Sequence, residues 1–134
     1  MNKIPSSNPV QGPAEMFTGE VTIETIKPVS ENSRLSISSV HFEPGARAAW
    51  HSHPHGQTLI VTEGVGVIQR KGEPIQLIKK GEVVWTEPNE EHWHGGSANS
   101  SMTHLAIQEL DDQGNLATWG KHVTDEEYIQ QPKP

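Results

Sequence analysis

Short apolar runs follow one another along most of the chain, and Gly, Pro, Asn and Asp separate them. Most of these runs alternate apolar with polar residues or are rich in β-branched residues, which is typical of strands. About ten short strands without a sustained helical period favour an all-β sandwich or barrel of antiparallel strands. The predicted strands cover 20–26, 34–42, 57–62, 65–70, 75–78, 82–86, 92–95, 102–110 and an extended piece at 119–123.

The two ends of the chain depart from this pattern. Residues 1–16 contain three prolines among many polar residues, a composition that buries too little apolar surface to fold alone. We therefore expect an N-terminal arm over 1–16, followed by one domain over 17–130. Near the other end, Thr124 and Glu127 have capping-box spacing, which predicts a short C-terminal helix.

Composition excludes several classes of protein. The length of 134 residues suits one domain, and apolar runs only three residues long are too short to span a membrane. The first residues do not resemble a secretory signal, so a cytoplasmic location is expected. The net charge is −7 and the basic residues are scattered, so nucleic acid is not an expected partner. Because cysteine is absent, any metal must be held by nitrogen and oxygen ligands.

Six of the eight histidines fall within one stretch of 54 residues. In an extended chain, His51, His53 and Gln57 can point to one side, and a neighbouring strand could bring His92 within reach. Two histidines at positions i and i+2, with a third on a distant strand, indicate a divalent metal site. The amide of Gln57 is a weaker, neutral metal ligand, and we include Gln57 among the candidate ligands because of its position beside the histidines.

Two further predicted strands carry polar residues on one face. His92 and His94 are two positions apart on one predicted strand and therefore share a face. The strand 102–110 places His104 and Gln108 on the same face as Ala106. We expect this face to line a site.

These residues occur in two spaced motifs. Residues 45–64 run Gly-x5-His-x-His-x3-Gln-x6-Gly, and residues 81–96 run Gly-x5-Glu-Pro-Asn-x2-His-x3-Gly. Together they resemble the two motifs of the cupin superfamily, although Gln57 replaces the usual glutamate, and Glu87, Asn89 and Gly96 replace the usual Pro, Gly and Asn. The resemblance implies a single-domain, antiparallel jelly-roll β-barrel with a metal ion inside it.

A closer resemblance covers nearly the whole chain. Five segments are similar to the bacterial manganese-dependent cupin hydroxynitrile lyases, which act on (R)-mandelonitrile: 12–19, 42–54, 56–62, 91–95 and 102–109. The resemblance implies cleavage of cyanohydrins to an aldehyde and HCN, or their formation from these two compounds. It also implies a homodimer or homotetramer that takes a small-molecule substrate.

The same resemblance assigns roles to individual residues. It implies that the metal ligands are His51, His53, Gln57 and His92. It implies that the catalytic residues are His94, His104 and Gln108, and that Ser38 and Val40 line the substrate pocket. Ser38 stands in place of a smaller residue, so substrate preference could differ. Manganese is the expected ion, and iron, nickel, cobalt and zinc also suit these ligands.

The expected chemistry follows from the ligand charges. Three neutral imidazoles and a neutral amide leave the full charge of a divalent ion uncompensated, which makes it a strong Lewis acid. His94 or His104 would accept the hydroxyl proton of a cyanohydrin, while the other histidine and Gln108 would assist the leaving cyanide.

Two other functions remain open from the residues. The first is another metal-dependent cupin enzyme, namely an oxygenase, an isomerase or a decarboxylase, and oxygen uptake with bound iron would favour an oxygenase. The second is a non-catalytic metal- or ligand-binding protein. Fold and ligands alone do not determine which reaction is catalysed.

Overall fold

A computed structural model describes residues 1–132 as two curled antiparallel sheets that enclose a barrel. Its strands are β1 (Val10–Gln11), β2 (Phe17–Thr18), β3 (Val21–Lys27), β4 (Leu35–Phe42), β5 (Arg47–Ala48), β6 (His51–Ser52), β7 (Gln57–Arg70), β8 (Gln76–Lys79), β9 (Val83–Thr86), β10 (His92–Gly96), β11 (Met102–Glu109) and β12 (Thr118–Trp119). One short helix, α1 (Asp125–Tyr128), follows them. This architecture confirms the predicted all-β, antiparallel jelly-roll barrel with a short C-terminal helix.

The two sheets share one strand. The first sheet has the order β1-β3-β4-β11-β7-β9. In the second sheet, β7 pairs with β8 and β10, and β10 pairs in turn with β5 and β6. The short strands β2 and β12 complete the second sheet beside β5 and β6. Because β7 belongs to both sheets, its path sets their relative position.

The course of β7 corrects the sequence prediction of two separate strands at 57–62 and 65–70. One strand runs through both, with a register shift opposite Thr103 and His104 that leaves an extra residue and bends the strand. Gly64 lies at this bend with φ +75°, and a Cβ there would collide with the carbonyl oxygen of Ser101. Glycine therefore allows the strand to pass from one sheet to the other.

Other differences concern very short elements. The strands β1, β2, β5 and β6 are only two residues long, too short for alternation to reveal them. The predicted extended piece at 119–123 forms a strand only at Thr118–Trp119, and Arg47 donates to the carbonyl oxygen of Val123 beyond it.

Part of the predicted arm belongs to the first sheet. Val10 and Gln11 pair with Ile23 and Thr22 of β3, as an edge strand, while residues 1–9 are exposed. The division into an arm over 1–16 and a domain over 17–130 stays a prediction, as does the homodimer or homotetramer.

Apolar side chains fill two separate cores. The larger core lies between the sheets and contains Val21, Val40, Phe42, Ala46, Ala48, Leu59, Val61, Ile68, Ile78, Met102 and Ala106. The smaller core lies on the other side of the second sheet and contains Val67, Ile75, Trp93, Val123 and Tyr128. Successive residues of a strand point to opposite faces, which is why Val67 and Ile68 belong to different cores.

The helix α1 covers the smaller core. Thr124 and Glu127 form the predicted capping box, and the hydroxyl of Tyr128 donates to the carbonyl oxygen of Gly96 at 2.6 Å. The guanidinium of Arg47 lies 4.7 Å from the centre of the Tyr128 ring, which adds a cation–π contact. Within residues 1–132, no helix has the length and apolar character needed to cross a membrane.

The bend in β7 can be tested against a matched glycine. Gly64 and Gly72 both have positive φ, at +75° and +85°, but a Cβ at Gly72 would meet nothing within 4 Å. We expect Gly72→Ala to cost about 1 kcal/mol of unfolding free energy from backbone strain. Gly64→Ala should cost about 3 kcal/mol because the collision with Ser101 is added. Urea denaturation measures both, and equal costs would contradict the steric role of this position.

Candidate active site and metal centre

The structure brings the four predicted metal ligands together at one end of the barrel. His51 lies on β6, directly opposite His92 on β10, and Gln57 is the first residue of β7. His53 lies in the turn between β6 and β7. The rings of His51 and His92 have centres 4.4 Å apart, and one nitrogen from each of His51, His53 and His92 lies within 4.8 Å of the others.

Hydrogen bonds to carbonyl groups set the tautomer of each of these histidines. The Nδ1 of His51 lies 2.7 Å from the carbonyl oxygen of Ala49. The Nδ1 of His53 lies 2.9 Å from that of Leu116. The Nδ1 of His92 lies 2.9 Å from the carbonyl oxygen of Glu90. A carbonyl oxygen only accepts, so each Nδ1 carries the hydrogen and each Nε2 keeps a free electron pair.

The remaining side of the cluster is formed by the Gln57 amide. Its Nε2 donates to Oε1 of Gln108 at 3.0 Å, which leaves its own Oε1 3.2 Å from Nε2 of His92. Two electron pairs that face each other at this distance repel unless a cation lies nearby. In addition, the buried Nε2 of His53 has no hydrogen-bond partner within residues 1–132. The donor set therefore fits a divalent metal ion.

Burial keeps these imidazoles in the form that binds metal. It lowers the pKa of His53 from the ordinary 6.5 to about 4, and it lowers the pKa of His92 as well. The pKa of His51 lies well below its ordinary value, chiefly through burial and also through the neighbouring His92 and His53. At neutral pH all three are uncharged, as metal coordination requires.

A cavity of about 450 Å³ opens beside this cluster. It is lined by all five residues predicted for catalysis and substrate contact: Ser38, Val40, His94, His104 and Gln108. It also exposes His51, His53 and Gln57, whereas His92 lines a separate polar depression together with Arg70 and Glu90. The roles of the lining residues stay predictions, but the structure places them in one cavity.

His94 and His104 form a hydrogen-bonded pair. Nδ1 of His94 lies 3.0 Å from Nε2 of His104, and both rings are buried. The outward nitrogens, Nε2 of His94 and Nδ1 of His104, have no hydrogen-bond partner among the residues that the structure describes. Burial lowers the pKa of His104 to about 4 and, with help from neighbouring histidines, lowers the pKa of His94 well below 6.5. A neutral pair of this kind presents one nitrogen that can accept a proton and one that can donate.

Sequence reasoning missed the apolar wall of the cavity. Phe17 and Trp119 pack against each other with ring centres 6.0 Å apart, and the Trp119 ring stacks on His51 at 4.5 Å. Leu116 completes this wall and also supplies the carbonyl group that holds His53. These residues lie on two-residue strands or in a loop, so no motif or alternation marks them.

The cavity lining is also uncharged. Apart from neutral histidines, the polar side chains are serine and amides, and the described residues around the cavity include no Lys, Arg, Asp or Glu. The site thus combines polar histidine and amide groups with an apolar wall. Such a cavity suits a small, uncharged molecule.

Comparison with known proteins agrees with this architecture. A sequence model of the cupin domain matches residues 38–107. A crystal structure of a cupin-like protein from Thermotoga maritima is 39% identical, with a TM-score of 0.82, over 90% of this chain and 92% of that one. A predicted oxalate decarboxylase from the same organism shares the fold, with 23% identity and a TM-score of 0.63 over 74% of this chain and 89% of that one.

The chain therefore belongs to the cupin family, with the barrel and the histidine cluster at the positions that the family motifs predict. Among its relatives is the (R)-mandelonitrile lyase of Granulicella tundricola, which is 52% identical over 118 residues. The match covers 88% of this chain and 89% of the relative.

The lowered pKa values change the pH range expected for metal binding. An ordinary histidine pKa of 6.5 predicts that protonation weakens binding below that pH, whereas His53, with a pKa of about 4, stays neutral further into acid. Protonation of His53 then competes with the metal only as the pH approaches 4, and the pKa values of His51 and His92 are lowered too. Dialysis of the Mn²⁺-loaded protein at stepwise lower pH, followed by metal analysis, should show retention at pH 5.5. Loss of half of the bound Mn²⁺ near pH 6.5 would show that burial does not lower the pKa values of the histidine ligands.

Proposed function

We propose that this protein is a metal-dependent hydroxynitrile lyase that cleaves or forms cyanohydrins such as (R)-mandelonitrile. The observation that carries the proposal is one cavity beside the three-histidine cluster, lined by His51 and His53 of that cluster, by the His94–His104 pair and by an uncharged apolar wall. The 52% identity with an (R)-mandelonitrile lyase over 88% of the chain supports it.

The cavity favours a cyanohydrin over a charged substrate. Apart from the proposed metal ion, the lining offers no charged partner to a dicarboxylate or a zwitterion, so any charge of the substrate that does not reach the ion would be buried unpaired, which is costly. Mandelonitrile is uncharged, with an apolar ring and a small polar end. Its ring suits the wall of Phe17 and Trp119, while its hydroxyl and nitrile groups suit the polar end with His94 and Gln108.

Different residues would bind the metal ion and transfer the proton. His51, His53, Gln57 and His92 would hold a divalent ion, which we propose to be Mn²⁺ and which supplies Lewis-acid activation of the substrate hydroxyl. One histidine of the His94–His104 pair accepts the hydroxyl proton. The carbon–carbon bond to the nitrile then breaks, its electron pair leaves with cyanide, and the carbon–oxygen double bond of the aldehyde forms.

The same residues complete the proton balance. Cyanide takes up a proton from the other histidine of the pair, so that HCN is released and the pair returns to its neutral form. The amide of Gln108 accepts from Gln57 through Oε1, which leaves its own Nε2 hydrogens to donate to the leaving group. Each such donor or base contributes on the order of 10²-fold to the rate.

The direct test is benzaldehyde release from racemic mandelonitrile at mildly acidic pH. Protein reloaded with Mn²⁺ should release benzaldehyde and consume one enantiomer faster, whereas the chelated protein and His92→Ala should match the buffer blank. If the loaded protein also matches the blank while metal analysis shows bound ion, the protein is not a mandelonitrile lyase, and oxygen uptake with iron becomes the next assay.

A second test separates proton transfer from metal binding. We expect His104→Ala to lower kcat by on the order of 10²-fold because the buried pair loses one of its two nitrogens for proton exchange. Its bound metal should stay near one ion per chain, since none of the proposed ligands hydrogen-bonds to His104. Loss of metal from this variant would instead assign His104 to the coordination sphere.

A further inference from the structure

The four proposed ligands are held in place in two different ways. His51 and His92 donate to carbonyl oxygens two residues earlier in the chain, those of Ala49 and Glu90. These supports are local. His53 and Gln57 are instead held by groups 63 and 51 positions away along the chain.

Both distant supports come from one wall of the cavity. Gln108 lies near the end of β11, and Leu116 lies in the loop that follows. Residues 108, 110 and 114–117 all line the cavity. We call residues 108–117 the support wall. One segment therefore contacts the substrate space on one side and two proposed ligands on the other.

Asp111 fixes the shape of the loop in this wall. Its Oδ1 accepts from the backbone N–H of Gln113 at 2.9 Å and from that of Asn115 at 2.8 Å. Its own N–H donates to the carbonyl oxygen of Asn115 at 2.9 Å. These bonds hold the backbone immediately before Leu116. Asp112, by contrast, faces outward and pairs with Arg34 at the surface.

We propose that the support wall is the outer coordination shell of the metal site, in which Gln108 orients the Gln57 amide and the loop fixed by Asp111 places the Leu116 carbonyl against His53. Gln108 and Asp111 are thus positioning residues for the metal. The inference deepens the metal site of the proposed function, and it assigns Gln108 a role besides that of a donor to substrate.

The role of Gln108 follows from the two ends of the Gln57 amide. While Gln108 accepts from Nε2 of Gln57, the Gln57 oxygen faces His92 and can serve as a ligand. Without that acceptor, the amide would turn over and donate from its NH₂ group to the free Nε2 of His92. That rotation would remove the oxygen ligand and occupy the electron pair of a second ligand.

The role of the loop follows from the tautomer of His53. The Leu116 carbonyl accepts from its Nδ1, and this bond keeps Nε2 free of hydrogen and aimed at His51 and His92. If the loop moves, the ring can rotate or carry its hydrogen on Nε2 instead. Either change lowers the affinity for metal without removing a ligand.

The first experiment varies Gln108 and measures metal binding rather than catalysis. Titration with Co²⁺, followed by its visible absorption, reports affinity and coordination, and Mn²⁺ binding is followed by electron paramagnetic resonance. Gln108→Leu should bind both ions about 10- to 100-fold more weakly, as is typical when an outer-shell partner is lost. Gln108→Glu keeps an acceptor for Gln57 and should bind at least as tightly as the wild type.

The second experiment varies the loop with matched controls. Asp111→Ala removes both side-chain acceptors and should weaken metal binding by about 10-fold or more. Asp111→Asn keeps an oxygen at the same position and should bind as the wild type does. Asp112→Ala loses only a surface ion pair, which contributes little to stability, and it should also bind normally.

Thermal unfolding of the metal-free proteins distinguishes positioning from a general loss of structure. Gln108→Leu should keep the Tm of the metal-free wild type while its Co²⁺ spectrum changes. Wild-type affinity in Gln108→Leu, within a factor of two, would overturn the role of Gln108. Equal affinities in Asp111→Ala and Asp112→Ala would overturn the role of the loop. Both readouts are independent of cyanohydrin cleavage, so they stand apart from a failure of the proposed activity.

Discussion

A hydrogen on a buried ring nitrogen needs an acceptor, and this requirement organises the site end of the barrel. The three clustered histidines meet it with backbone carbonyl groups, and one of the two ring hydrogens of the His94–His104 pair meets it within the pair. A hydrogen bond from Nδ1 to a carbonyl group fixes the orientation of the imidazole ring, and it thereby fixes the direction of the free electron pair on Nε2. The backbone therefore aims the ligands, and burial keeps them neutral.

The division of the barrel into a core and a site depends on strand pairing. On the inner faces of β4 and β11, Phe42 pairs with Met102 and Val40 pairs with His104. Further along, Ser36 pairs with Gln108. The inner face of β4 changes from apolar to polar in this direction, whereas on β11 the polar His104 and Gln108 alternate with the apolar Met102 and Ala106. Phe42 packs against the rings of His94 and His104, and such apolar packing offsets the cost of burying the polar groups.

The fold by itself leaves the reaction open, since related barrels include a predicted oxalate decarboxylase. This site combines a cluster of three uncharged histidines, a neutral histidine pair and a cavity wall without charged side chains. A neutral ligand set leaves the charge of a bound ion available to the substrate. An uncharged wall then offers no partner to a substrate charge that lies away from the ion.

Alternation and the spacing of motifs along the chain predict the strand-rich class, the capping box and the grouping of His51, His53 and His92. Alternation and motif spacing are local properties, so they survive without tertiary information. Tertiary structure decided what depends on distant pairing: the single bent strand β7, the apolar wall of Phe17 and Trp119, and the contact of Gln108 with Gln57. The pKa of His53 belongs to the same group, because burial is a property of the folded barrel and not of a motif.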